Sequence, residues 1–474
     1  MLKKRFIIDN DGTNLFMLKS PLTDDDLKWT VEQCPKSVTT YMVCPNAIGK
    51  FYYPCSIGET ISREVAPHLI DAFQKGQDPF GKFLEYLKQG GKEVFITYRM
   101  NDAHNANEPD HWGASEFKKN HPEHAVDVEA IKSGHADWMS YCLDYSKLEV
   151  QDYILSSLRD IAEKYDIDGI QLDWMRFPRH LSGKNPDEVW ELRLALNFFV
   201  ESVRYMLDGF GRERGKKILL SARVPTWLEG CKKLGVDIAE WHKILDFITP
   251  APFLSSDYRI NFKEFRSIFP EKPIYAGTDM NHSGRCHNAQ SYRAWALSMF
   301  EQGADGLNLF NFPCWTEYLA EQPYDWLVDL DDPQKIKGKS ALYTIISNYH
   351  RIANIDQPVI LPMSIEAGKK AEVELLIPSL ALPVMRALFL IVGNGNYQFS
   401  VNGYETLEPR KVVSGSIFMT FMDQDAMNRE PKAENCKSFI VPTDYIQAGE
   451  NILSIINTGN ETLTVYRIDL GLWD

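Results

Sequence analysis

The chain has 474 residues, more than one hydrophobic core usually serves, so two domains or one large barrel with an appendage are expected and a small disulfide or zinc module is excluded. Hydrophobic residues make up 44%, charged residues 24% and aromatics 12%, which are the proportions of an ordinary folded chain and not of a disordered, collagenous or coiled-coil one. A net charge of -14, with no run of lysines or arginines, argues against nucleic acid or an anionic membrane as partner and favours a neutral or cationic ligand.

The opening Met1-Leu2-Lys3-Lys4-Arg5-Phe6-Ile7-Ile8-Asp9 is basic, but its apolar run is far too short for a signal segment, and no stretch approaches a membrane span. A cytoplasmic location is expected, or a periplasmic or secreted one if a leader was removed ahead of the numbered chain. The cysteines are scattered without any C-x-x-C pair, so neither a zinc site nor a dithiol motif is indicated.

From Arg5 to about Tyr349, short apolar runs ending in polar residues alternate with longer segments of helical period, the signature of repeated βα units around a parallel sheet. Strands are predicted at 6–9, 38–44, 94–98, 169–173, 218–223, 247–251, 274–279 and 306–310. That count favours a closed (β/α)8 TIM barrel over an open doubly wound sheet. No dinucleotide fingerprint or phosphate-binding loop follows any of these strands, and no cofactor is expected. After His350 the helical segments stop, and alternating strands appear with turns at Gly393-Asn394-Gly395, Asn402-Gly403 and Asn457-Thr458-Gly459. The predicted architecture is a barrel over 1–352 followed by a small all-β sandwich over 353–474.

Within the fourth unit, Ser146-Lys147-Leu148-Glu149 reads as a capping box that opens a helix with Val150, Tyr153, Ile154, Leu158, Ile161 and Ala162 on one stripe. The strand that follows alternates, so Ile170 and Leu172 face the helices while Gly169, Gln171 and Asp173 face the barrel axis, which puts Asp173 at the mouth. The same parity turns Asp9 and Asp11, Ser221 and Arg223, and Asn308 and Phe310 inward. A carboxylate closing such a strand, with Trp174 and Arg176 just beyond it, offers a sugar a charge, an apolar ring face and a fixed donor fork. Asp166 and Asp168, at the opposite end of the strand, read as turn and cap residues.

The run Tyr165-Asp166-Ile167-Asp168-Gly169-Ile170-Gln171-Leu172-Asp173-Trp174-Met175-Arg176-Phe177-Pro178 resembles the fourth-strand signature of the glycoside-hydrolase-like (β/α)8 families of the glycosyl hydrolase-like ten type, in which an aspartate closes a "DGI…D" strand. Similar support comes from Ser115 to Glu123, from Leu143-Asp144-Tyr145-Ser146 and from Ser221-Ala222-Arg223-Val224-Pro225. The resemblance implies a glycosidase fold and a carbohydrate substrate without naming the sugar.

Such chemistry needs two carboxyls flanking one bond. Candidates to partner Asp173 at other strand ends are Asp9, Asp11, Asp102, Glu229, Asp257 and Asp279. In a barrel roughly 15 Å across, inward aspartates on strands four and seven bring their carboxyls to roughly 8 Å, near the range of about 5 to 9.5 Å that glycosidases use. Asp279, which shares parity with Tyr275 and Gly277, is therefore the preferred catalytic partner of Asp173, with roles left open. Substrate contacts are expected from Asp9, Asn46, Tyr98, Arg99, Asp102, His104, Trp112, Trp174, Arg176, Arg223, Trp227, Asn308, Asn311 and Trp315. Arg223 is also positioned to pair with Asp173, which would suit a nucleophile better than an acid. Trp190, Trp241 and Trp295 read as core.

The histidines His104, His111, His121, His124 and His135 form no metal-ligand pair of recognised spacing, so no metal is expected, and His121-Pro122 reads as structural. No serine sits in a nucleophile elbow. Tyr397 to Gly403 and Ile446 to Ile455 resemble the hairpin and strand of galactose-binding-like jelly rolls, for which a buttressing role is the favoured reading. The expected function is cleavage of an oligo- or polysaccharide. The alternatives are a glycan-binding barrel without catalysis and a metal-dependent barrel lyase or hydrolase.

Overall fold

The computed structural model describes residues 2–47, 49–108, 111, 114–253, 258–279, 281–282, 285–314, 322–345, 355–406, 409–411 and 436–474. Eight parallel strands form the central sheet: Phe6–Asn10 (β1), Thr40–Val43 (β2), Glu93–Arg99 (β3), Gly169–Asp173 (β4), Leu219–Val224 (β5), Phe247–Pro250 (β6), Tyr275–Asp279 (β7) and Gly306–Phe310 (β8). Their order is β6-β5-β4-β3-β2-β1-β8-β7, and a parallel bridge between Ile248 and Ile274 brings the two ends together, so the sheet is a nearly closed barrel. All eight predicted strands are present, with every bound within two residues of the predicted one.

Alternation along each strand sorts the side chains as the barrel requires. Outward residues such as Ile8, Ile170, Leu172, Leu220 and Leu309 join the main hydrophobic core with the helices Leu148–Lys164, Pro186–Arg214 and Ala289–Gln302. Inward, Ile7, Met42, Phe95, Phe247 and Tyr275 form a separate apolar cluster that fills the N-terminal end of the barrel. Arg5 closes this floor from below: its Nη1 donates to the Tyr275 hydroxyl at 2.8 Å and its Nε to Glu93 at 2.6 Å. With that end plugged, a ligand has access only to the C-terminal face.

The helix Leu148–Lys164 buries the predicted stripe, with Tyr153 half-buried, but its start differs from expectation. Lys147 occupies the N-cap and makes no side-chain cap bond. Both donors of Ser146 go instead to Asp144, the backbone N–H at 3.0 Å and the hydroxyl at 2.8 Å, so a local aspartate turn competes successfully with the capping box.

The C-terminal part forms two antiparallel sheets. One joins Ala341–Ile345 (β9), Met363–Ile365 (β10), Arg386–Gly393 (β12), Arg410–Lys411 (β15), Cys436–Val441 (β16) and Leu463–Trp473 (β18) in the order β9-β18-β12-β16-β15, with β10 also on β18. The other is Lys370–Ile377 (β11), Gly449–Asn457 (β17), Tyr397–Val401 (β13) and Tyr404–Glu405 (β14), in the order β11-β17-β13-β14. Strand β9 lies ahead of residue 353 yet belongs to this C-terminal sheet through its pairing with β18.

Candidate active site

Asp173 ends β4 on its inner face, and its register partner on β5 is Arg223. Arg223 Nη1 donates to Asp173 Oδ2 at 3.1 Å, and the Met175 backbone N–H donates to Oδ1 at 2.9 Å. Arg223 Nη2 also donates to the Pro252 carbonyl at 3.1 Å. The guanidinium lies 4.0 Å from the Phe310 ring centroid, and that of Arg176 lies 5.2 Å from the same ring, within cation–π range. Phe310 ends β8 and is the register partner of Asp279 on β7, so the ring spans from the strand of one proposed catalytic carboxylate to the arginine that holds the other.

Asp9 lies close by. Its Oδ2 accepts from Gln171 Nε2 at 2.7 Å and from the Thr97 hydroxyl at 3.4 Å, and Gln171 in turn accepts from the Thr249 hydroxyl at 3.2 Å. Its Oδ1 is buried without a hydrogen-bond partner. Burial, followed by the charge of Asp173, pushes the Asp9 carboxyl up to about 7 against the opposing effects of Arg223, Gln171 and Thr97. A second buried network continues from β3. Arg99 donates to Asp102 at 2.7 Å and pairs with Asp11 at 3.2 Å, while His104 Nδ1 lies 2.6 Å from Asp102. Burial alone would raise Asp102 and Asp11. Charge from His104, Arg99 and Arg176 holds Asp102 well below the ordinary carboxylate range, and Arg99 and Arg176 likewise lower Asp11.

Other polar groups at the mouth are buried without a protein partner. Both amide atoms of Asn308 make no hydrogen bond, and neither does Asn311 Oδ1, although the Asn311 N–H donates to the Asp9 carbonyl at 2.8 Å. Arg176 is buried with its Nε unbonded and, among the described residues, has no ion pair. Buried polar atoms in this condition call for an explanation, and a ligand is one.

The structure thus brings together Asp9, Asp173, Arg176, Arg223, Asn308 and Asn311, connects Asp279 to them through Phe310, and places Arg99, Asp102 and His104 alongside. Asn46 lies in a two-residue ladder with Phe51, where the Cys44 thiol donates to its carbonyl, and with Arg99 and Asp102 it lines a pocket of about 30 Å³, room for little more than a water molecule. Three expected contacts are corrected. Tyr98 and Trp174 share the parity of Leu172 and point away from the axis, Tyr98 near Phe51 and Trp174 among Tyr145, Phe199 and Trp241. Trp227 caps the helix Leu228–Leu234, and its Nε1 donates to the Ile355 carbonyl at 2.6 Å. Glu229 is exposed on that helix. Trp112, Trp315 and Asp257 lie outside the described residues. The role of Phe310 between two guanidinium groups was missed, because an inward phenylalanine reads as packing.

A cavity of about 590 Å³ lies elsewhere, between the helix Ala289–Gln302 and strand β11 of the sandwich. The interior carboxylates and the unbonded polar atoms are at the mouth. Among the described residues no helix is long and apolar enough to cross a membrane.

Residues 36–193 match the family described as "Glycosyl hydrolase-like 10", a stretch that contains β2, β3 and β4 with Asp173 and Arg176. No curated protein sequence matches the chain. Among solved structures, the glycoside hydrolase domain of PgaB (BpsB) from Bordetella bronchiseptica aligns with 69% of this chain and 98% of its own at 11% identity and a TM-score of 0.48. An α-L-fucosidase isoenzyme 2 from Paenibacillus thiaminolyticus aligns at 13% identity over 65% of this chain and 46% of its own, TM-score 0.44. A GH36 α-galactosidase, AgaB, from Geobacillus stearothermophilus aligns at 12% identity over 96% and 55%, TM-score 0.39. The chain therefore spans about half the length of the last two. Over residues 36–193 the sequence is similar to that family, and the chain's own fold is a nearly closed barrel of eight parallel strands with an antiparallel β extension.

Proposed function

We propose that the protein is a glycoside hydrolase that cleaves an oligo- or polysaccharide at the C-terminal mouth of its barrel. The observation that carries this reading is the convergence there of inward carboxylates with unbonded amide and guanidinium groups, on a barrel whose other end is filled. In this reading Asp173, bonded to Arg223, is the nucleophile or base, and Asp279 is the opposing carboxyl. Asp9, whose carboxyl is pushed up to about 7 by burial, supplies a third carboxyl beside Asp173. Arg176, Asn308 and Asn311 would bind sugar hydroxyls, with Asn46, Arg99, Asp102 and His104 at the rim. The sandwich would buttress the barrel.

Reducing-end release from a broad polysaccharide panel tests the proposal. Asp173→Asn is expected to fold normally and to lose activity by a factor on the order of 10²–10⁴. Near-normal turnover in that variant would remove Asp173 from the mechanism. A second reading, a barrel that recognises glycans without cleaving them, is favoured by one observation: Asp173 is 1% and Asp279 0% exposed. Glycan binding by the wild-type protein with no new reducing ends would establish it.

A further inference from the structure

The segment after β3 carries a second cluster of titratable groups, apart from the barrel mouth. In His121-Pro122-Glu123-His124 the residues Pro122–His124 form a 3-10 turn. With three residues per turn, side chains three apart are eclipsed, so His121 and His124 share one face. Their rings stack with centroids 5.0 Å apart and planes 10° from parallel. Glu123 reaches between them, with Oε1 3.3 Å from His121 Nδ1 and 3.8 Å from His124 Nε2.

One donor atom from each of the three residues lies within 4.8 Å of the others. A tetrahedral ion about 2.1 Å from each ligand needs donors about 3.4 Å apart, so two of the three separations are already close to that value. The backbone is fixed before any ion arrives. The Asp144 N–H donates to the His124 carbonyl at 2.8 Å, and Phe117, stacked on Tyr153 at 3.9 Å, packs against both imidazoles.

His124 is nine-tenths buried, and its Nδ1 makes no hydrogen bond. The His124 nitrogen that faces Glu123 is Nε2, and one of the two rings must turn about its Cβ–Cγ bond for a nitrogen of each to reach a shared cation, because parallel ring planes do not converge on one point.

We propose that His121, Glu123 and His124 bind one divalent ion of the zinc class, with water completing the coordination. Two imidazoles and a carboxylate suit zinc rather than magnesium or calcium, which take oxygen ligands. The H-x-x-H spacing is unlike the i, i+4 pair of an α-helix and gives no signal until the 3-10 turn eclipses the two rings. The inference is independent of glycosidase activity.

The test is titration calorimetry of the full-length, tag-free chain, stripped with chelator, against zinc chloride and separately magnesium chloride, with melting followed in parallel. One equivalent of zinc should bind and raise the melting temperature, and magnesium should do neither. His121→Ala, at a half-exposed position, should weaken binding by more than the ~10–100-fold typical of losing an outer-shell partner. His135→Ala, an exposed histidine outside the cluster, should leave it unchanged. No zinc uptake, or uptake that persists in His121→Ala, overturns the proposal.

Discussion

Asp9 is fully buried and its partners are identifiable. Burial and the neighbouring charge of Asp173 raise its carboxyl from 3.8 to about 7, so the folded chain holds a proton there that the unfolded chain releases. Stability from this group is fully present below the unfolded value near 4 and is lost as pH rises through about 7, amounting to up to about 4 kcal/mol. Glu93 acts in the opposite direction. Despite burial, its bonds and charge contact with Arg5, then its bonds to Lys3 and Thr40, pull it down to about 2, so its contribution is present above the unfolded value and fades only as pH falls toward 2. Asp9→Asn keeps an oxygen for Gln171 to donate to and removes the titration. Urea unfolding from pH 4 to 8 should show wild-type stability falling relative to Asp9→Asn as pH rises through 7. Parallel pH curves would mean that Asp9 is ionised throughout.

At the level of the strand, β4 shows what pattern conveys and what it does not. Parallel strands buried on both faces read as short apolar runs, so the eight strands were evident from the sequence, and alternation placed Gly169, Gln171 and Asp173 inward. The same alternation sends Trp174 outward. The Trp174 N–H still donates to the Arg223 carbonyl at 3.2 Å, so the hydrogen bonding of the ladder runs one residue past the strand. Tyr98, flanked by the inward Thr97 and Arg99, follows the same rule. The approach of Asp9 to Asp173 was not legible, because it joins residues far apart in sequence through Gln171 and Thr97. The glycine of the "DGI…D" run acquires a packing reason. A Cβ on Gly169 would sit 2.2 Å from Phe95 Cε1, and Phe95 is itself held against Phe247 at a ring separation of 5.6 Å. Gly169→Ala should therefore destabilise the barrel by about 1–3 kcal/mol, and adding Phe95→Leu should recover part of the loss. A denaturant midpoint equal to wild type in the single variant would show that the floor has slack.

Across the whole molecule, the question is whether barrel and sandwich are separable at 352/353, as the change of sequence texture proposes. Texture misses β9, because its partner β18 lies more than a hundred residues later and only that pairing reveals the strand. Ala341, Leu342 and Tyr343 of β9 are buried, and the strand continues directly from a contact with the barrel in which Arg293 Nε donates to the Ser340 carbonyl at 2.7 Å. Further ties cross the same junction: the Tyr258 hydroxyl donates to the Leu342 carbonyl at 3.2 Å, and that of Ser379 to Glu301 at 3.1 Å. A fragment of residues 1–352 would keep β9 but lose β18, leaving an apolar strand with an open row of backbone donors and acceptors, the arrangement that recruits other chains. That fragment is expected to aggregate, and the full-length chain to unfold in one calorimetric transition, because the barrel face of the junction depends on β9 staying paired. A soluble 1–352 fragment, together with two separate transitions in the whole protein, would instead make the sandwich an independent appendage and leave the barrel to stand alone.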